Sequence, residues 1–149
     1  MAKVLIVYHS LSGNTKKMAE AVAEGARSVP GTEVMVKTGL EATIDDLLGC
    51  DGIAIGSPDY FSYMAGGVKD FLDRTYYPSQ GKTDGKPAVA FGSAGGPADN
   101  ILRVLDQALK WFKLKKVADS VGASGKVAPG ALVDCQELGR KLAQAAGGS

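Results

Sequence analysis

The residues best suited to chemistry lie near the start of the chain, in the segment HSLSGNT at positions 9–15. Three hydroxyl side chains, a glycine and an asparagine stand there, where a run with helical spacing begins. Free N–H groups at a helix start, the positive end of the helix dipole and the hydroxyls can together bind a phosphate without a cation. Gly13 would let the turn fold close to the anion. Alternatively, Ser12 or Asn14 only caps the helix, and the motif alone leaves both interpretations open.

A second candidate segment, PDYFSYM at positions 58–64, brings aromatic side chains without helical or strand-like spacing. A flat conjugated ligand would gain from stacking on Tyr60, Phe61 or Tyr63. Phe61 or Met64 could instead pack into the core at the start of a helix, and we expect one of the two to do so. The segment therefore predicts a ring-binding surface combined with a core contact.

A third candidate segment, GSAGGP at positions 92–97, carries very little side chain. A ligand could approach its backbone closely, because glycine leaves room that other residues fill. A tight turn explains Gly95 and Gly96 almost as well. A ligand-binding role for this segment is supported only by its position relative to the other two segments.

Alternating strand and helix patterns must position these segments. Short apolar or β-branched runs predict strands at 3–8, 32–38, 52–57, 87–92 and 117–121. Apolar residues at helical spacing predict helices at 14–27, 44–48, 65–75, 98–113 and 131–145. Five strands joined by helices predict an α/β fold, with one doubly wound parallel sheet covered by helices on both faces. We expect a single domain over residues 1–149.

The predicted strand order explains why the three segments belong together. For the order 2-1-3-4-5, strands one, three and four are neighbours, and the candidate segments follow these three strands. Ligands of open parallel sheets bind beyond the carboxyl ends of the strands, where the strand order reverses. The sequence therefore predicts one crevice surrounded by all three segments.

Composition and residue content exclude several other classes of protein. Seventeen basic and sixteen acidic side chains give a net charge of +1, which disfavours a nucleic-acid surface. Apolar stretches are too short for a membrane span, and we expect a cytoplasmic protein. Cys50 and Cys135 lie far apart with His9 as the single histidine, so we expect packed thiols and no metal site. No catalytic set of side chains is recognisable, because His9 has no partner fixed by the sequence.

Two long motifs resemble a known family. VLIVYHSLSGNTKKMAEAVAEG at 4–25 resembles the opening of flavodoxins, whose S/T-x-S/T-G-N-T loop holds the phosphate of flavin mononucleotide (FMN). IGSPDYFSYMAGGVKDFLDRT at 55–75 is similar to the second flavin loop of the flavodoxin-like NAD(P)H:quinone oxidoreductases named after a tryptophan-repressor-binding protein. The resemblance covers almost the whole chain in order. It implies a flavodoxin-like fold with FMN as the cofactor.

The resemblance also implies which residues bind FMN. The phosphate would be surrounded by the first segment, namely Ser10, Leu11, Ser12, Gly13, Asn14 and Thr15. The flavin ring would be flanked by the second segment, namely Pro58, Asp59, Tyr60 and Phe61. The rest of the cofactor would be covered by the third segment, namely Gly92, Ser93, Ala94, Gly95 and Gly96.

Three functions are compatible with these features. The first is an electron carrier of the flavodoxin type between a reductase and partner proteins, favoured by the short chain. The second is an enzyme in which NAD(P)H reduces FMN and the flavin then reduces a quinone, favoured by the second segment and the near-neutral charge. The chain lacks the longer connections and the later histidine of that branch. The third is a flavin-free partner-binding domain, against which the intact hydroxyl segment argues.

Overall fold

The computed structural model describes residues 1–148. Its strands are β1 (Ala2–Tyr8), β2 (Thr32–Thr38), β3 (Gly52–Tyr60), β4 (Tyr63–Met64), β5 (Pro87–Ala94), β6 (Lys115–Lys116) and β7 (Val121–Ser124). Its helices are α1 (Asn14–Arg27), α2 (Ile44–Gly49), α3 (Gly66–Ser79), α4 (Asp99–Trp111) and α5 (Pro129–Ala146). Each of these helices is too short or too polar to cross a bilayer.

The strands form a parallel sheet in the order β2-β1-β3-β5, with β6 and β7 both pairing with the outer edge of β5. In the predicted order 2-1-3-4-5, β5 takes the fourth position, and β6 and β7 together take the fifth. The flavodoxin-like fold class is thereby confirmed. The antiparallel strand β4, which pairs with β3, was not predicted.

Two hydrophobic cores cover the two faces of the sheet. Strand β1 shows the division, because Leu5 and Val7 belong to one core and Val4 and Ile6 to the other. The first core packs against α2, α3 and α4, and the second packs against α1 and α5. Strands buried on both faces read as continuous apolar runs, which is why the sequence revealed them.

The predicted fifth strand at 117–121 is wrong in its position. The chain pairs with β5 at Lys116 and again at Val121, with Ala88 and Phe91 as the partners on β5. Four residues thus stand opposite two on β5, and this bulge interrupts the strand. Asp106 of α4 holds the bulge, since its carboxylate accepts hydrogen bonds from Lys116 Nζ at 3.0 Å and from Ser120 Oγ at 2.7 Å.

Helices α1 and α5 approach each other through glycines. A Cβ atom added at Gly25 of α1 would lie 1.8 Å from the carbonyl oxygen of Gln136. A Cβ atom added at Gly139 of α5 would lie 1.9 Å from the carbonyl oxygen of Val22. The backbones therefore touch, so α1 and α5 pack in close contact over the same hydrophobic core.

Both cysteines are buried free thiols, as the sequence predicted. Burial raises the pKa of Cys50 to about 11 and that of Cys135 to about 12. Only the thiolate reacts with disulfide reagents, so both thiols of the folded protein should be unreactive towards Ellman's reagent at about pH 8. Both should react after unfolding in guanidinium chloride. Fast labelling of the native protein would contradict the burial of these thiols.

Candidate functional site

The first candidate segment forms the turn between β1 and α1, and it leaves the start of α1 uncapped. Gly13 is the N-cap residue with φ +100°, and no side chain among residues 1–148 caps the helix by a hydrogen bond. The interpretation of Ser12 or Asn14 as a helix cap is therefore wrong. The N–H groups of the first turn remain available to a ligand, next to the hydroxyls of Ser10 and Ser12.

Hydrogen bonds tie the first segment to its neighbours. Thr15, which is buried, makes a hydrogen bond between its Oγ1 and Ser93 Oγ at 2.8 Å. Asn14 Nδ2 donates to the carbonyl oxygen of Gly125 at 3.4 Å. The turn is also braced internally, because the Gly13 N–H donates to Ser10 Oγ at 3.1 Å. These contacts join the ends of β1, β5 and β7 into one surface.

The second candidate segment is a β-hairpin rather than an irregular loop. Tyr60 of β3 pairs with Tyr63 of β4, and Phe61 and Ser62 form the two-residue turn with φ values of +55° and +65°. Phe61 is fully exposed at the tip of the turn, whereas Met64 is buried in the core. The expectation that one of Phe61 and Met64 is a core residue is confirmed for Met64.

The side chain of Tyr60 packs against the ring of His9. The two rings meet edge to face with their centroids 6.0 Å apart. His9 also lies close to the start of α3, since a Cβ atom at Gly67 would be 2.7 Å from His9 Nδ1. The single histidine therefore packs between the hairpin and α3, where it has a structural role.

The three segments line one cavity of about 220 Å³ at the carboxyl ends of β1, β3 and β5. Predicted residues in its lining are Ser10, Leu11, Ser12, Asn14, Thr15, Pro58, Asp59, Tyr60, Ser93, Ala94 and Gly95. Gly125, which follows β7, lines it as well and was missed. Its position directly after a strand end was the signal that could have revealed it.

Four predicted site residues do not line this cavity: Gly13, Phe61, Gly92 and Gly96. Phe61 projects into solvent at the turn. Gly92 lies in β5 against α4, where an added Cβ would be 2.9 Å from Ile101 Cγ2. Gly96 lines an adjoining depression together with Pro97 and the start of α4. Gly13 contributes its backbone conformation to the turn rather than a wall of the cavity.

The cavity offers neutral hydrogen-bond donors in place of basic side chains. Its lining, within the described residues, contains no Lys, Arg or His, and Asp59 is its single carboxylate. An anion bound there would depend on hydroxyls and backbone N–H groups at the α1 terminus. No group of three potential metal ligands occurs within residues 1–148.

A larger cavity, of about 400 Å³, lies at the other end of the molecule. Tyr76, Trp111 and Phe112 contribute to its lining, near the ends of α3 and α4. Helices that connect parallel strands run back over the sheet, so their C-terminal ends lie beside the amino ends of the strands. Open α/β sheets bind ligands at the opposite edge, which favours the smaller cavity as the functional site.

Comparison with known proteins gives matches over most of the chain. A family model described as NADPH-dependent FMN reductase matches residues 32–128. A flavodoxin of Aquifex aeolicus (strain VF5) is 40% identical over 160 residues, covering 97% of this chain and 86% of that protein. An NAD(P)H dehydrogenase (quinone) of Acidithiobacillus ferrooxidans is 41% identical over 95 residues, covering 50% of this chain and 48% of that protein.

Solved structures match the whole fold. A flavodoxin from the domain Archaea superposes with a TM-score of 0.86 at 29% identity, covering 97% of this chain and 99% of the other. A flavodoxin, WrbA-like protein from Agrobacterium tumefaciens superposes with a TM-score of 0.80 at 22% identity, covering 99% of both chains. The second likeness concerns the fold alone.

The strand order and the cavity at the carboxyl edge of the sheet define the class of flavodoxin-like α/β proteins. Within that class, the chain belongs to the flavodoxin family of FMN proteins, because a flavodoxin that is 40% identical matches 97% of its length. The resemblance inferred from the two long motifs is thereby confirmed.

Proposed function

We propose that the cavity binds FMN and that the protein carries electrons between a reductase and redox partner proteins. The observation that carries this proposal is the uncapped start of α1, where free N–H groups and hydroxyls meet at the carboxyl edge of the sheet. The match to a flavodoxin over 97% of the chain supports this proposal. We expect the protein to act in the cytoplasm, as the sequence indicates.

The residues present fit the chemistry of FMN. The phosphate would lie at the start of α1, bound by the hydroxyls of Ser10 and Ser12 and by the first backbone N–H groups of the helix. Thr15 would support this site through its hydrogen bond to Ser93. Gly13 gives the turn its left-handed conformation. A dianion would thus be neutralised by dipoles and hydrogen bonds without a buried cation.

The ring of the flavin would lie against the hairpin. Tyr60 lines the cavity, whereas Phe61 is fully exposed at the turn, so Tyr60 is the aromatic side chain positioned to flank the ring. Ser93, Ala94 and Gly95 would cover the adjoining part of the cofactor. When bound, FMN supplies the redox chemistry of the protein. The side chains supply binding, orientation and electrostatics, which agrees with the lack of a catalytic set.

A second candidate function is an NAD(P)H-dependent oxidoreductase that uses the same cavity. The observation in its favour is the match of residues 32–128 to the FMN reductase model, together with the partial match to an NAD(P)H dehydrogenase (quinone). In this case the cavity would hold FMN, NAD(P)H would be the two-electron donor and a quinone would be the two-electron acceptor. Both functions use the same cavity, and they differ in the electron donor and the electron acceptor.

Purification of the protein tests both functions. We expect a yellow protein that releases FMN on denaturation. A colourless protein that fails to take up added FMN would exclude both functions and favour a flavin-free binding domain. For the holoprotein, reduction in one-electron steps with little NAD(P)H oxidation supports the carrier. Rapid bleaching of the flavin by NAD(P)H with quinone turnover supports the enzyme.

Removal of one hydroxyl from the phosphate site tests the placement of FMN. Ser12→Ala is expected to weaken FMN binding by about 1 kcal/mol or more, the scale of a hydrogen bond to a charged group. Thr15→Ala is expected to weaken it by a similar amount, because the hydrogen bond to Ser93 that supports the site is lost. Ser28→Ala, at the other end of α1, is the control and should leave binding unchanged. Affinity is measured by titration of the apoprotein with FMN. Unchanged affinity in both site variants would place the phosphate elsewhere.

A further inference from the structure

The side-chain amide of Asn100, in the first turn of α4, connects two parts of the β3–β4 hairpin. Its Nδ2 donates to the carbonyl oxygen of Ser62 at 2.8 Å and to Asp59 Oδ2 at 3.4 Å. Its Oδ1 accepts a hydrogen bond from Arg103 of the same helix. A carbonyl and a carboxylate only accept hydrogen bonds and a guanidinium only donates them, so all three partners fix the same orientation of the amide.

The hairpin needs support from outside its own strands. Phe61 and Ser62 both adopt positive φ values, a conformation that favours Asn and Gly in such turns. The antiparallel ladder consists of only two residue pairs, Asp59 with Met64 and Tyr60 with Tyr63. A two-residue strand with an unfavourable turn is weakly stable by itself. The hydrogen bond from Asn100 to Ser62 connects this turn to helix α4.

The hairpin is also one wall of the cavity. Asp59 and Tyr60 line the cavity, and Asp59 is the single carboxylate in its lining. A negative charge beside a flavin opposes the additional negative charge of the reduced ring, and a hydrogen bond to the carboxylate weakens this opposition. The orientation of Asp59 can therefore influence the reduction potential of a bound flavin.

We propose that Asn100 is a positioning residue that fixes the β3–β4 hairpin and the Asp59 carboxylate beside FMN, and through them controls FMN affinity and midpoint potential. This inference rests on the proposed binding of FMN in the cavity. Asn100 acts through Ser62 and Asp59, because it is not itself among the residues that line the cavity. Arg103 holds the amide from the other side.

Two substitutions of Asn100 separate this role from simple packing. Asn100→Ala removes both hydrogen bonds to the hairpin. Asn100→Asp keeps the shape and the acceptor for Arg103, but it places a carboxylate against two acceptors. We expect the FMN dissociation constant to rise by about fivefold in Asn100→Ala, the scale of one lost hydrogen bond, and by more in Asn100→Asp. The midpoint potential should become more negative in Asn100→Ala, and more negative still in Asn100→Asp.

Gln107→Ala is the matched control, because Gln107 is an exposed polar residue of α4 outside the cavity lining. Its affinity and potential should equal those of the unsubstituted protein. If Asn100→Asp has the FMN affinity and midpoint potential of the unsubstituted protein, the hydrogen-bonding role is wrong, and Asn100 matters only through its shape. An unchanged affinity and potential in Asn100→Ala would likewise overturn the proposal.

Hydrogen exchange of the apoprotein tests the same contact without FMN. The backbone amides of Tyr60 and Tyr63, the hydrogen-bonded pair next to the turn, should exchange faster in both Asn100 variants than in Gln107→Ala, because the hairpin opens more often. Equal exchange rates would show that Asn100 does not hold the hairpin. Failure of the unsubstituted protein to bind FMN would overturn the proposed function instead, and the exchange rates would still decide whether Asn100 supports the hairpin.

Discussion

Gly139→Ala is expected to destabilise the protein by about 3 kcal/mol or more, at the upper end of the cost of overpacking a core. The new methyl group would lie 1.9 Å from the carbonyl oxygen of Val22 and 3.0 Å from the backbone nitrogen of Ala26. Both atoms belong to the backbone of α1 and have no alternative rotamer, so α1 and α5 must separate. The free energy of unfolding measured with urea, by circular dichroism, reports the loss directly.

Gly130→Ala in the same helix is the matched control. No atom lies within 4 Å of the position that its Cβ would take, and alanine favours a helix more than glycine does. The free energy of unfolding should therefore stay unchanged or rise by about 0.5–1 kcal/mol. Equal effects of the two substitutions would show that close approach of α1 and α5 is not what Gly139 provides.

Much of the fold could be predicted because its determinants are local. The strand Thr32–Thr38 and the helix Asn14–Arg27 have the bounds predicted from residue type and periodicity. The fifth strand could not be placed correctly, because Asp106 lies in α4 and its bonds to Lys116 and Ser120 are distant in sequence. Nothing in the segment 117–121 itself reveals the bulge.

The convergence of three segments on one cavity could be predicted from the strand order. The individual walls of the cavity could not. A two-residue turn with positive φ values usually contains glycine or asparagine, and the turn of Phe61 and Ser62 contains neither. The sequence therefore gave no sign of the hairpin that exposes Phe61 and places Tyr60 in the cavity. Gly125 was missed for a different reason: the fifth strand was predicted to end at residue 121, so Gly125 did not stand directly after a predicted strand end.

Gly13→Ala is expected to weaken FMN binding by about tenfold or more and to lower the stability of the apoprotein by about 1–2 kcal/mol. No atom lies within 4 Å of the added Cβ, so the cost comes from the backbone, which has φ +100° at this residue. An alanine there favours a different turn, which would move the N–H groups of the first turn of α1 away from the phosphate. FMN titration and urea unfolding of the apoprotein measure the two effects.

Gly31→Ala separates backbone strain from the effect on FMN. Gly31 also has a positive φ, +78°, and no atom within 4 Å of its added Cβ, but it lies in the turn before β2 and outside the cavity lining. The two variants should lose similar stability, while only Gly13→Ala should lose affinity for FMN. A similar loss of affinity in both variants would mean that FMN affinity depends on the overall stability of the protein. A normal affinity in Gly13→Ala would mean that the phosphate does not depend on this turn.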